Sequence, residues 1–393
     1  MRFYRWSEKG EGRLVGRAGR LCIYERVLTE CRIEERPKRV EDRKYGEFKF
    51  VYGPSTGGLL ESIRFNVVTD GERIVDIDAE VYKVRKVKLT GMGVEDALLR
   101  VERVNAPFAA SHALSFILAV EDVLGVEPDY QTQLKRIAEL ELERVRNHMF
   151  VISRLTEMAS LSVPTYHLLA LVEEANRLVG ELCGHRYFFG VNGINSVNCD
   201  FSGGKLLKVV DIAKEFRGIF EGLLGSRIFI DRLQDNGKVF DERSIGPAAR
   251  ASGLAYDARG DADFLPYKDV GFRAVKEDGG DAFARFLVRG YEVFESVRML
   301  VEVNDMLRDE RGRGEVVALG DGEGLARLES PSGDIAYYVR LSKGVVEEVH
   351  YFFPSFSNLN LFLESSKGTI FTDFPFNWES FGIWASELGA EIE

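Results

Sequence analysis

The chain has 393 residues, 45% of them apolar and 29% charged, so a sizeable core is affordable and global disorder is excluded. Lys plus Arg is 52 against 63 Asp plus Glu, a net charge of −11. That balance argues against a nucleic-acid coat, which needs a basic face. The length points to two or three domains' worth of chain. No apolar run approaches the roughly 20 residues of a membrane span, because HALSFILAV meets Glu121 and Asp122 at once. No secretory signal is visible in MRFYRWSEKGEGRLVGR.

Residues 1–45 carry 13 Lys or Arg against 8 Asp or Glu. They read as an N-terminal extension with some strand, either a docking element or a solvated appendage. Residues 46–90 read as β: FKFVYG stops at Gly53-Pro54, and SIRFNVVTDGERIVDIDAEVYKV alternates on both sides of Asp70-Gly71, a hairpin signal. From about 94 the period becomes helical and stays so to 312. SHALSFILAVEDVLG, QTQLKRIAELELERVRNHMFVISRLTEMAS and YHLLALVEEANRLVGELCG are long helix candidates, the last two parted near Pro164. Two more follow, GKLLKVVDIAKEFRGIFEGLLG and AFARFLVRGYEVFESVRMLVEVNDML, with a Gly-, Asp- and Pro-rich loop over 244–272 between them. Strand character returns in GDIAYYVRLSKGVVEEVHYFF, so 313–393 reads as a C-terminal β part and tail. Long helices around one core with antiparallel strands near both ends make an α+β protein, an extension at 1–45 followed by one body at 46–393.

Catalytic motifs are scarce. There is no G-x-x-x-x-G-K-[ST], no G-x-S-x-G and no H-E-x-x-H. The five histidines never pair at i, i+4, and GMGVED reads as a turn before a helix. Cys22, Cys31, Cys183 and Cys199 show no C-x-x-C spacing and read as four isolated thiols of a reducing compartment.

The motifs taken in order nevertheless resemble one family. It comprises the large subunits of nickel–iron hydrogenases, above all the energy-converting membrane-bound type, and the related 49 kDa-type subunit that walls the quinone pocket of respiratory complex I. The resemblance runs through GPSTGGLLESIRFNV, RVNAPFAASHALSFILAVEDVLG, ELERVRNHM, GHRYFFGVNGI, FIDRL, SIGPAARASGLAYDARGD, FLVRGYEVFESVRML and SPSGDIAYYV…FPSFSNLNLF. Eight weak motifs in the right order over some 340 residues make coincidence improbable. The resemblance implies the hydrogenase large-subunit fold. It also implies partners: a small iron–sulfur subunit, whose [4Fe-4S] cluster delivers electrons, and membrane-arm subunits. The expected location is the cytoplasmic side of the cell membrane, peripheral through those partners, with no span and no nucleic acid.

The same comparison shows what is missing. The family holds nickel and iron on two Cys-x-x-Cys pairs, since soft thiolates suit these metals. Here the first pair falls on Asn105 and Phe108, and the second, placed after Asp373, on Pro375 and Trp378; no cysteine follows Cys199. No nickel–iron centre and no cofactor of its own are therefore expected, and the chain is not itself a hydrogenase. The family's His-Arg-Gly-x-Glu element falls on Tyr82, Lys83 and Lys86, and the quinone-pocket histidine on Thr56. These four are candidate pocket-lining residues. Arg103, His112 and Asp373 match family positions and are the candidate catalytic groups. Glu141, Arg144 and His148 share a helix and are expected to brace it. Two functions follow: electron transfer from the partner's cluster to a quinone or sulfur compound, or a non-catalytic scaffold whose pocket is plugged by Phe108, Trp378 and Lys86.

Overall fold

Alternation in the sequence becomes antiparallel sheet, and the apolar helical stripes become a bundle beside it. The computed structural model describes residues 45–54, 63–82, 85–261, 264–308 and 320–393, together with short strands within residues 5–30. Those short strands are β1 (Arg5–Trp6), β2 (Leu14–Ala18), β3 (Leu21–Tyr24) and β4 (Val27–Glu30), in the order β1-β4-β3-β2. Next come β5 (Glu47–Tyr52), β6 (Ile63–Asp70) and β7 (Arg73–Val81), an antiparallel sheet in chain order, and then β8 (Arg85–Val87). The expected hairpin pairs Asp70 with Arg73, and Gly71 takes the positive φ of +59° that this tight turn requires. In β6, Ile63, Phe65, Val67 and Thr69 face inward and their neighbours outward, as a period of two demands.

The helices are α1 (Val94–Val101), α2 (Ala109–Leu124), α3 (Tyr130–Met158) and α4 (Ser162–Cys183), with a 3-10 turn at Ala106–Phe108 between the first two. Asp129 caps α3 by accepting the N–H of Thr132 at 2.9 Å. Pro164 lies in the first turn of α4, where no N–H is needed, so it starts that helix rather than breaking one. Segment Ala106–Leu124 is apolar and long enough to cross a bilayer by composition, and 78% of it is buried among other elements, as a core helix is. A small hairpin, β9 (Asn192–Gly193) and β10 (Ser196–Val197), leads to α5 (Val209–Leu224) and α6 (Arg227–Leu233). The segment expected as loop contains α7 (Gly246–Ala251) and α8 (Ala258–Asp261). Both are too short to show a period, and they are held by the buried arginines Arg250 and Arg259. Then come α9 (Ala282–Met306) and the antiparallel sheet β11 (Gly322–Ser330), β12 (Gly333–Ser342) and β13 (Val345–Phe352).

The tail is more helical than its sequence suggests: α10 (Pro354–Ser365), α11 (Phe374–Phe381) and α12 (Ala385–Leu388) precede β14 (Ala390–Ile392). The last of these pairs in parallel with β8. Aromatic residues of α10 and α11 close over β6: the rings of Phe362, Phe374 and Trp378 meet Phe65 edge-on at 5.3–5.7 Å. The basic extension is not simply a solvated appendage. Leu21, Ile23 and Leu28 pack with Leu325, Ala336 and Phe352 of the β11–β13 sheet.

The cysteines depart from expectation. Cys183, at the end of α4, is disulfide-bonded to Cys199 after the β9–β10 hairpin, and Cys22 is also disulfide-bonded. No local spacing announces this pairing, because a returning loop brings the two residues together across 16 positions. A closed loop of that size contributes about 3 kcal/mol. Cys183→Ser is therefore expected to lower the midpoint of urea unfolding by that equivalent, and an unchanged midpoint in the variant would show the bond is not formed.

Candidate active-site cleft

The 3-10 turn before α2 forms the floor of a cleft of about 350 Å³. Phe150, Val151 and Arg154 of α3 form one wall, and Trp378, Ile383 and Trp384 of α11 and the turn after it form the other. Arg85 and Arg103 stand at the rim with Asn105 and Pro107 on the floor. The cleft is amphipathic, with aromatic walls and cationic edges.

A buried polar group lies beneath the floor. Asn105, extended just before the turn, donates its amide N–H to Glu387 Oε1 at 3.2 Å. The other Glu387 oxygen accepts the backbone N–H of Ser355 at 3.3 Å. His112 Nε2 is 3.4 Å from Glu387 Oε1, and its Nδ1 is 2.9 Å from the Tyr337 hydroxyl. Asn105, His112, Tyr337 and Glu387 are all 1% exposed or less. Burial, then the charge of Glu387, holds the Tyr337 hydroxyl well above its ordinary range, so it stays protonated. It can then donate to His112 Nδ1, while His112 Nε2, 3.4 Å from Glu387 Oε1, makes no hydrogen bond among the described residues. The edge of Phe353, with ring centres 4.7 Å apart, fixes the imidazole plane. Asn105 Oδ1 and Trp384 Nε1, both beside the cleft, have no hydrogen-bond partner among the described residues. A buried acceptor and a buried donor are thus free for a ligand.

The expected site residues divide. Arg103 reaches the cleft, but its side chain is 49% exposed and its guanidinium pairs with buried Glu102 and covers the Phe189 ring at 4.5 Å. His112 is central but buried beneath the floor. Asp373 is not with them: it ends a 3-10 turn and pairs with Arg232 at 3.0 Å. Phe108 is fully buried against the edge of Trp384, Trp378 lies between the cleft and the Phe65 cluster, and Pro375 is in the first turn of α11. Lys86 neither lines nor plugs the cleft. Its ammonium lies 2.7 Å from Glu393 and 3.7 Å from Glu391, on the far side of the β8–β14 pair. The preceding residue, Arg85, turns to the cleft, donating to the carbonyls of Arg103 and Val104. Tyr82 is exposed and donates to Glu80 at 3.3 Å. Thr56 and Lys83 lie outside the described residues. The segment that touches Asn105 and Phe108 is 383–387, through Glu387 and Trp384, which sequence matching misses, while Trp378 of the expected segment shares the cleft wall. The one signal for Glu387 is an acid inside the apolar tract GIWASELGA.

Glu141, Arg144 and His148 belong to a second, fully buried ionic cluster. Glu141 accepts from Ser296 at 2.6 Å and Tyr267 at 2.8 Å and pairs with Arg144 and Arg259. Arg250 reaches Glu292 at 2.6 Å and both Asp257 and Glu329 at 2.8 Å. Burial pulls the His148 imidazole down to about 3, so it is neutral. Its Nε2–H donates to Glu292 at 2.7 Å, and its Nδ1 accepts from Arg289 at 3.2 Å. Every lone pair and proton of that ring is used, which suits bracing rather than catalysis.

Two further acids on α3 are perturbed. Burial pushes Glu139 up to about 8 and Glu143 up to about 7, against partial relief from Asn192 and Arg136 for the first and Arg146 for the second. An acid with a raised folded pKa keeps its proton while the unfolded chain loses one, so stability is full below about 4.5 and falls as pH rises toward 8. Thermal unfolding should therefore show a midpoint declining over that window, and Glu139→Gln should flatten the decline. An unchanged slope in the variant would mean that Glu139 is ionised at neutral pH.

The residues do not fit a nickel–iron centre. No thiolate stands at the cleft, and Cys183 and Cys199 are bonded to each other. Among the described residues no three His, Cys, Asp or Glu side chains are grouped to hold a metal.

Residues 162–319 match the family described as the 49 kDa subunit of respiratory-chain NADH dehydrogenase. The chain is 27% identical to the membrane-bound hydrogenase subunit alpha of Pyrococcus furiosus, over 83% of each. It is 29% identical to an NADH-quinone oxidoreductase subunit of Sorangium cellulosum, over 85% of this chain and 92% of that one. A chain of the membrane-bound sulfane sulfur reductase, an archaeal respiratory membrane complex, superimposes with a TM-score of 0.76 at 21% identity, over 88% of this chain and 98% of that one. The fold is shared with that chain, and the similarity extends well beyond the cleft.

Proposed function

We propose that this chain, a divergent relative of the hydrogenase large subunits and the complex I 49 kDa subunits, is the large subunit of a membrane-associated oxidoreductase complex that works without a nickel–iron centre. Electrons come from a [4Fe-4S] cluster in a small partner subunit, and the cleft receives the acceptor, a quinone or a sulfur compound. The complex sits on the cytoplasmic side of the membrane, held there by membrane-arm subunits. The carrying observation is the open amphipathic cleft with the buried Asn105–Glu387–His112–Tyr337 group under its floor. Arg85 and Arg103 offset negative charge gained on reduction. Asn105 Oδ1 and Trp384 Nε1 orient the acceptor, and His112 with Glu387 holds the proton it needs. A plugged scaffold calls for a filled pocket. Phe108 and Trp378 fill part of it, but the remaining 350 Å³ supports the active reading.

Affinity purification of the native complex tests the proposal. Iron–sulfur and membrane subunits should co-purify, nickel should be absent, and the complex should reduce a quinone or polysulfide. A chain that purifies alone, or a complex that reduces neither acceptor class, would count against it.

A further inference from the structure

Three polar side chains of α3 are unused by the cleft chemistry. Glu139, Glu143 and Asn147 recur every four residues, so they share one face of the helix, about 6 Å apart along its axis. The next member of that stripe, Val151, lines the cleft. All three are buried, none more than 1% exposed. Glu139 accepts from Asn192 at 2.8 Å and lies 4.0 Å from the sulfur of Cys199, on a partly exposed loop. Glu143 accepts the N–H groups of Ala110 at 2.8 Å and Ser111 at 3.1 Å, and the Ser111 hydroxyl. Neither amide atom of Asn147 has a partner among the described residues, and the same holds for Asn192 Oδ1. Buried amides of this kind bind water. The charges facing the stripe are Arg136 at the Glu139 end and Arg146 at Glu143. Arg146 is anchored to the Pro107 carbonyl at the cleft floor and over Tyr187.

We propose that Glu139, Glu143 and Asn147 form a proton conduit along α3 from the Cys199 loop to the cleft. The assignment of protons to an acceptor rests on the reading of the cleft as a reduction site. Each transfer moves one proton along hydrogen-bonded water: Glu143 releases one toward the cleft to water held by Asn147, takes another from Glu139 through water held at Asn192, and Glu139 is refilled from water at the loop. No electron travels along the stripe.

Deuteration of carboxylic-acid C=O bands, followed by infrared spectroscopy of the purified full chain in heavy water, tests the path without reference to any acceptor. Glu139→Gln and Glu143→Gln should each remove one band. Glu139→Leu or Asn147→Leu alone leaves one end open, so the Glu143 band should deuterate as in the wild type. The double variant seals both ends and should slow that band at least tenfold. Glu139→Met with Asn147→Val is the alternative pair should the leucine variants fail to fold. A double variant that exchanges as fast as wild type overturns the conduit, as does a single variant that already shows the full slowing. In the assembled complex Asn147→Leu should lower acceptor reduction at least tenfold and raise the solvent isotope effect, with the partner's cluster reduced at the normal rate. A complex that reduces nothing sinks the functional reading, while the exchange result still decides the conduit.

Discussion

Replacing Arg250 by methionine should destabilise the chain by about 3–5 kcal/mol, a large fraction of the stability of any domain. The guanidinium is fully buried and lies within 2.8 Å of Asp257, Glu292 and Glu329. Without it three carboxyl groups from three elements face one another in a low-dielectric interior. Glu329 is already pushed up to about 8 by burial and by Asp257, and loss of the Arg250 charge that lowers it would push it higher still. Urea titration of the purified variant measures the cost. Arg243→Met is the control, because its pair with Asp241 is solvent-exposed on the arginine side and should contribute under about 1 kcal/mol. Equal losses in the two variants would refute the view that the cluster holds α3, α7, α9 and β11 together.

On the proposed function, Glu387→Gln should lower acceptor reduction by the intact complex about a hundredfold, within the range of general acid–base catalysis. The substitution keeps the shape and the acceptor for Asn105 while removing the charge that faces His112. His112→Leu should cost about as much, and the double variant little more, because the two act as one proton-holding unit. Reduction of the partner's cluster should proceed normally in all three. Two positions that sequence matching singles out should matter less. Arg103→Ala should slow turnover only a few-fold, because its guanidinium is already satisfied by Glu102 and Phe189. Asp373→Asn should leave turnover unchanged, since its carboxylate meets Arg232 away from the cleft. Pre-steady-state reduction of the cluster and steady-state turnover together separate these outcomes.

The α+β fold is legible in the sequence because its signals are local. The alternation around Asp70-Gly71 produces β6 and β7, and the helical period over 130–158 produces α3, which the fold buries on nearly every side. Motif order carries the relationship to the larger family. What escapes reading is what depends on distant contact. The Cys183–Cys199 bond follows from a loop that doubles back. Helices α7 and α8 are too short to show a period and exist because arginines anchor them. The second half of the cleft is the clearest case. Matching a lost cysteine pair has no residue to hold the register, and it settles on the Asp373 segment. The chain in fact brings Ile383–Glu387 against Asn105. His112 is found from sequence because its neighbours survive in the motif, whereas Glu387 has only an acid in an apolar tract to mark it.

Helix α3 carries two polar stripes at once. One, through Glu141, Arg144 and His148, is locked into the ionic cluster, and the other, through Glu139, Glu143 and Asn147, runs toward Val151. Neighbouring residues differ by about 100° around the axis. A turn of the helix by a single position would therefore swing charged groups into the apolar bundle and break both stripes together. The helix is in effect a keyed axle, its register fixed on two sides at once. On the proposed function the opposite jaw is the short turn from Gly382 to Ser386, held by the Ser332 hydroxyl on the Gly382 carbonyl and by the Trp384 N–H on Ser355 Oγ, besides Glu387 below it. That turn, rather than the helix, is the segment to redesign when a different acceptor is wanted.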